Sequence, residues 1–167
     1  MSYCRRILRR AGPKAPMRRK ICILGTHHGY QIDVSRPAYF ENVKALLRLH
    51  FVDLIAEEAT GAPSTYAQGI AAESQISWKN VDLTKEERGK VPDVNPDSIG
   101  TLIDFDLQNI REWVWVVRTS KAMKDSALLI CGLTHTLSVA EKFQSLGFDV
   151  ETNVYFPRAD EIRIKSG

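Results

Sequence analysis

Ile21-Cys22-Ile23-Leu24-Gly25-Thr26-His27-His28 and Ala127-Leu128-Leu129-Ile130-Cys131-Gly132-Leu133-Thr134-His135 decide how this chain is read. Each begins with a short apolar run rich in branched residues and without alternation, the pattern of a strand buried on both faces of a parallel sheet. Each run then ends in Gly and delivers a His three residues later. A helical pattern follows both, so the two His-bearing turns are expected at the carboxyl ends of strands, the edge where open α/β sheets bind ligands.

Working outward, the periodicities predict a strand over 20–25, a helix over 37–49, a strand over 52–57, a weak helix over 65–74 and a strand over 77–82. After a long loop to about residue 102 come a helix over 103–123, a strand over 126–131, a helix over 136–146 and a strand over 148–154. Pro37 suits the first turn of its helix, whose Phe40, Val43, Leu46 and Leu47 repeat at helical spacing. Gly147 suits a helix C-cap. Strands alternating with helices predict right-handed crossovers and an α/β fold, a three-layer sandwich around a mainly parallel central sheet. Residues 84–102, with Gly89, Pro92, Pro96 and Gly100, read as a lid or rim.

The 167 residues, 44% hydrophobic, suffice for one domain with a real core. Of three cysteines, Cys22 and Cys131 fall inside predicted buried strands as small apolar filler, and with Cys4 they form no C-x-x-C spacing. A reducing, cytoplasmic setting is therefore expected. No apolar run approaches the roughly 20 residues of a membrane span, and the start lacks the apolar core of a secretory signal, so no membrane partner is expected.

The net charge of +3 is misleading, because residues 1–20 hold eight Lys and Arg and no acid; subtracting those eight leaves −5 for residues 21–167. A mildly acidic folded part argues against a general nucleic-acid binder. Residues 1–19 read as a basic extension that is disordered or an artefact of start assignment, with residues 20–167 as the single domain. As alternatives, the tail would serve as a nucleic-acid arm or a transit peptide.

Carboxylates gather at the same edge. Glu57 and Glu58 close the second strand and Asp82 closes the third. His27, His28, Glu57, Glu58, Asp82 and His135 thus form a candidate ligand set for a divalent metal such as Mn, Co, Zn or Fe. The set suits metal-free general acid–base chemistry equally. Of the adjacent acids, Glu57 is expected to face the cleft, since one of two strand neighbours must point away.

At these residues the chain resembles the TraB/Tiki superfamily, which also embraces erythromycin esterase-like and ChaN-like proteins. The resemblance rests on the paired G-x-x-H at Gly25 to His28 and Gly132 to His135, an acid at Glu57 or Glu58, and Arg111-Glu112 in the helix before the second motif. It implies an α/β fold with a polar cleft and, in the Tiki branch, metal-dependent peptidase activity; other branches are haem-associated, esterase or pheromone-shutdown proteins. The chain is shorter than typical members, lacks their membrane segment and is abbreviated after Asp82.

Plainer readings stand beside these. A His in a strand-to-helix turn is often only a cap, and His50 belongs with such residues. Glu57 and Glu58 would serve a following helix dipole, Asp82 a turn, and Arg111 a solvated helix face. Thr26 and Thr134 would form anion-binding turns at helix N-termini. Ile110, Trp113, Val114 and Val117 share a helical face and are expected in the core, with Trp115 turned toward a lid, another helix or a second subunit. The reading that results is a hydrolase cleaving an amide or ester bond in a small-molecule or peptide substrate, assisted by a divalent metal, with His28, Glu57, His135 and Arg111 catalytic. A non-enzymatic module binding a small ligand, peptide or haem, and a toxin- or effector-like protein docking through its basic tail, are the alternatives, and oligomerisation is open.

Overall fold

The computed structural model describes residues 18–33, 36–59, 64–91 and 102–156, with side chains of 102–106 left aside. Five strands, β1 (Lys20–Thr26), β2 (Leu54–Glu57), β3 (Ser77–Asn80), β4 (Ser126–Gly132) and β5 (Asp149–Val154), form one sheet in the order β3-β2-β4-β1-β5. Every pairing is parallel. The helices are α1 (Pro37–His50), α2 (Tyr66–Glu73), α3 (Lys85–Arg88), α4 (Leu102–Ala122) and α5 (Thr136–Ser145). The protein is therefore an α/β sandwich built on a parallel sheet, as its strand–helix alternation predicts.

Residue type explains the layering. All seven residues of β4 and six of seven in β1 are buried, which is what unalternated apolar strands require. Edge strands β3 and β5 are mostly exposed and polar. Cys22, Leu24, Ile55, Leu128 and Ile130 pack under α1 and α2. Ile21, Ile23, Leu54, Ala56, Leu129 and Cys131 pack under α4 and α5. Both described cysteines are free and buried, and burial raises the Cys22 thiol to about 11.

Topology fixes where a ligand can bind. From β1 the chain crosses one face through α1 to β2, whereas from β4 it crosses the opposite face through α5 to β5. The direction reverses between adjacent central strands β4 and β1, so a crevice opens beyond their carboxyl ends. Those two strands carry the Gly-x-x-His turns.

Several expectations need correction. The third strand stops at Asn80, and Val81 and Asp82 turn into the interior beyond it. Residues 85–88 of the presumed loop form α3 behind a Thr84/Glu87 capping box; residues 92–101 of the presumed lid lie outside the described residues. Arg19, assigned to the extension, belongs to the folded unit: its guanidinium donates to the Ser120 carbonyl at 2.8 Å and stacks 4.6 Å from the Phe148 ring. The rest of the tail, residues 1–17, lies outside the described residues. The α4 faces are inverted: Trp115 and Val116 are fully buried, while Ile110, Trp113 and Val117 are 41%, 39% and 44% exposed. The buried face is held by polar anchors, since the Trp115 indole donates to Asp82 at 2.9 Å. Among the described residues, no helix is long and apolar enough to cross a membrane.

Candidate functional site

The glycines of the two motifs are demanded by contact. A Cβ on Gly25 would lie 2.1 Å from Thr136 Oγ1, at the start of α5. A Cβ on Gly132 would lie 2.9 Å from His28 Nε2 and 3.3 Å from His135 Cδ2. Both imidazoles thus converge on one bare stretch of β4 backbone, and any side chain at Gly132 would occupy the space between them.

His28 and His135, with Gln31, Glu58, Arg88 and Arg111, line a cleft of about 450 Å³ at the switch point. This falls in the size range of small-molecule sites. The His28 ring is 55% exposed, with Nε2 3.7 Å from Glu58 Oε2 and Nδ1 3.5 Å from Gln31 Oε1. His135 is held from below. Its Nδ1 lies 2.7 Å from Glu112 Oε1, and the Trp115 ring packs edge-on against it.

Glu112 also accepts from Ser138 Oγ at 2.5 Å and Lys142 Nζ at 2.8 Å. Burial alone would push its carboxyl up, yet hydrogen bonds from His135, Lys142 and Ser138 outweigh burial and bring it down to about 2. Glu112 is therefore an ionised acceptor at neutral pH, and the proton between the two groups belongs on His135 Nδ1. A neutral His135 then keeps its lone pair on Nε2.

Glu58 is fastened at both oxygens. Oε1 accepts from Arg111 Nη2 at 2.6 Å and Oε2 from the Gly132 N–H at 2.8 Å. Arg111 is itself locked by two bonds to Asp82, each at 3.0 Å, and one to Gln108. Burial opposes its charge, but Asp82 and Glu58 more than compensate and raise its pKa further. Asp82 additionally takes Arg88 at 2.5 Å.

The expected residues therefore divide. His28, His135 and Arg111 meet in the cleft. Glu57 does not: strand alternation turns it to the α1/α2 side, where Oε2 accepts from Thr65 Oγ1 and Trp78 Nε1 at 2.5 and 2.8 Å. Glu58 takes the place expected of Glu57. Burial raises the Glu57 carboxyl despite those two donors. His27 is exposed and accepts the Gly29 N–H at 3.1 Å as the cap of its 3₁₀ turn. Asp82 is fully withdrawn behind Arg111 and is an anchor, not a cleft ligand. Gln108, Arg88 and the Ser138/Lys142 pair were not anticipated. Only the i, i+4 spacing of Ser138 and Lys142 on α5 signalled that they share a face.

Among the described residues, no group of three or more His, Cys, Asp and Glu is placed to hold a metal ion.

No protein-family model matches the chain, and neither does a curated protein or a solved structure.

Proposed function

We propose that the cleft hydrolyses an ester or amide bond in a small-molecule or peptide substrate by general acid–base catalysis, as a TraB/Tiki-like hydrolase. The observation that carries this reading is the 2.7 Å pairing of His135 with an ionised, buried Glu112 beneath an open cleft. In it, His135 Nε2 takes a proton from water as the water oxygen bonds to the substrate carbonyl carbon. Glu112 stabilises the imidazolium that forms. His28, on the opposite wall, supplies a proton to the departing alcohol or amine, and the carbonyl–heteroatom bond breaks. Arg111 contributes by fixing Glu58, which borders His28.

A divalent-metal version is the second reading, favoured by the convergence of two imidazoles, one with a carboxylate behind its Nδ1, as metal-binding histidines commonly have. His28, His135 and Glu58 would hold Mn, Co, Zn or Fe, which would supply a bound water of lowered pKa. Glu58 would bind through the lone pairs that Arg111 and the Gly132 N–H leave free.

The test is hydrolysis of a p-nitrophenyl ester panel and fluorogenic peptides by the full chain, with and without chelator, beside His135→Ala and Glu112→Gln. Turnover that survives chelation and falls at least about a hundredfold in both variants supports acid–base hydrolysis. Loss on chelation, with stoichiometric metal on elemental analysis, selects the metal version. Undiminished turnover in both variants refutes both, and ligand binding without turnover favours a non-enzymatic module.

A further inference from the structure

The inward face of α4 carries Gln108, Arg111, Glu112 and Trp115 at i, i+3, i+4 and i+7. Arg111, Glu112 and Trp115 are buried and already account for the Glu58 anchor and the seat of His135. Gln108, one turn earlier, lines the cleft and also the hollow of about 290 Å³ beside it, and His135 is common to both. Its amide has a fixed sense. Oε1 accepts from Arg111 Nη1 at 3.0 Å, and Arg111 is held in turn by Asp82 and Glu58. A guanidinium offers donors and no acceptor, so the amide oxygen must face it and the two N–H donors on Nε2 must face away.

We propose that Gln108 Nε2 is the donor that holds the substrate carbonyl oxygen in the hydrolysis described above, the reading on which this inference rests. As the water oxygen bonds to the carbonyl carbon and its proton passes to His135 Nε2, the carbonyl π pair moves onto the oxygen. That charge is best met by an N–H already in place. When the pair returns, the carbon–heteroatom bond breaks and the leaving group takes its proton from His28. Neighbouring backbone donors are engaged elsewhere: the Gly132 N–H on Glu58, the Gly29 N–H on His27 and the Ala59 N–H on Asn80. The Gln31 amide is the rival, but its Nε2 is buried, whereas Gln108 is half-buried and borders two open hollows. Gln31 is also held more loosely, its Oε1 lying 3.5 Å from His28 Nδ1.

The test is steady-state hydrolysis of 4-nitrophenyl acetate and the rest of the ester and peptide panel by the full chain, beside Gln108→Met and Gln108→Glu, with circular dichroism of each. Both variants are expected to lose about 10²–10³ in kcat with KM within about twofold, the signature of a donor that acts on the transition state alone. Gln108→Glu keeps an oxygen for Arg111 but, ionised, has no donor, so it separates loss of the N–H from loss of the helix contact should Gln108→Met fold poorly. Affinity for 4-nitrophenyl methylphosphonate, whose tetrahedral phosphonate oxygen stands in for the charged oxygen, should fall about ten- to a hundredfold in Gln108→Met. Parental kcat in Gln108→Met, a loss confined to KM, or a loss in Gln31→Met and not in Gln108→Met overturns the inference and leaves hydrolysis standing. A parent that turns over no member of the panel removes the hydrolase reading, and the inference falls with it.

Discussion

Replacing Asp82 by Asn tests whether the cleft stands on a buried ionic anchor. Asp82 is fully buried and accepts from Arg111 Nε and Nη2, Arg88 Nη2 and Trp115 Nε1 at 2.5–3.0 Å. Asn keeps one oxygen but sets an amide N–H₂ where Oδ2 now receives two guanidinium donors, and it removes the charge between two arginines. Removing one partner of a buried ion pair costs about 3–5 kcal/mol. The lower end applies here, because Arg111 retains Glu58 at 2.6 Å and the Arg88 side chain is 31% exposed. Against a total stability of roughly 5–15 kcal/mol, about 3 kcal/mol is a large fraction. With a urea slope of about 2 kcal/mol/M, the unfolding midpoint should fall by about 1.5 M. Trp115 sits in the network, so its fluorescence follows the transition directly. Arg111→Met should couple: the double variant should be less destabilised than the sum of the singles by about 1–3 kcal/mol. A loss below about 1 kcal/mol for Asp82→Asn, or strict additivity, would refute the anchor.

Gly25→Ala should cost about 1–3 kcal/mol in urea unfolding, because its Cβ would meet Thr136 Oγ1 at 2.1 Å, and Thr136→Ala should recover part of that loss. Glu112 is held low, so its contribution is complete above the ordinary carboxyl range near 4.5 and is lost as pH falls toward about 2; Glu112→Gln should therefore be less stable than the parent by up to about 3 kcal/mol at pH 7, with the gap closing across that window in pH-dependent unfolding. Glu57 has the opposite sign: its raised pKa favours the fold while the carboxyl is protonated, and that advantage fades as pH rises. Glu57→Gln should accordingly gain on the parent as pH rises above the ordinary carboxyl range near 4.5, and a stability gap that fails to grow in pH-dependent unfolding would show that the buried charge is better satisfied than its two donors suggest.

The central strands were legible because burial on both faces leaves its mark in the composition of β1 and β4, and because Gly and His recur at a fixed distance behind them. Which way a strand-end carboxylate points was not legible. Leu54 and Ala56 face α4 and α5 whereas Ile55 faces α1 and α2, and both sets are equally apolar, so parity alone cannot tell Glu57 from Glu58. The cleft chose Glu58 because Arg111 arrives from α4. The inversion of α4 has a similar origin. Ranking its faces by hydrophobicity selects Ile110, Trp113, Val114 and Val117, but the helix buries the face that carries ions. Asp82, Arg111 and Trp115 satisfy one another there across some 30 residues of chain, a compensation visible only when the partners meet in space.

That compensation also indicates how the edge separates scaffold from chemistry. Among the described residues, each buried carboxylate on the α4 side is already hydrogen-bonded: Asp82 to two arginines and an indole, Glu58 to Arg111 and a backbone N–H, Glu112 to His135, Lys142 and Ser138. Each is paired with a cation in place and holds geometry. The two imidazoles differ in how they are held, one with its Nδ1 paired to Glu112, the other more than half exposed. A firmly held imidazole beside an exposed one is the arrangement on which the proposed hydrolysis relies. Asp82→Asn should therefore disturb stability first and the proposed turnover only through Arg111, whereas Glu112→Gln should disturb turnover even at a pH where the fold is intact. Equal effects of the two substitutions on both readouts would mean that the network is one cooperative structural unit, with no group set aside for chemistry.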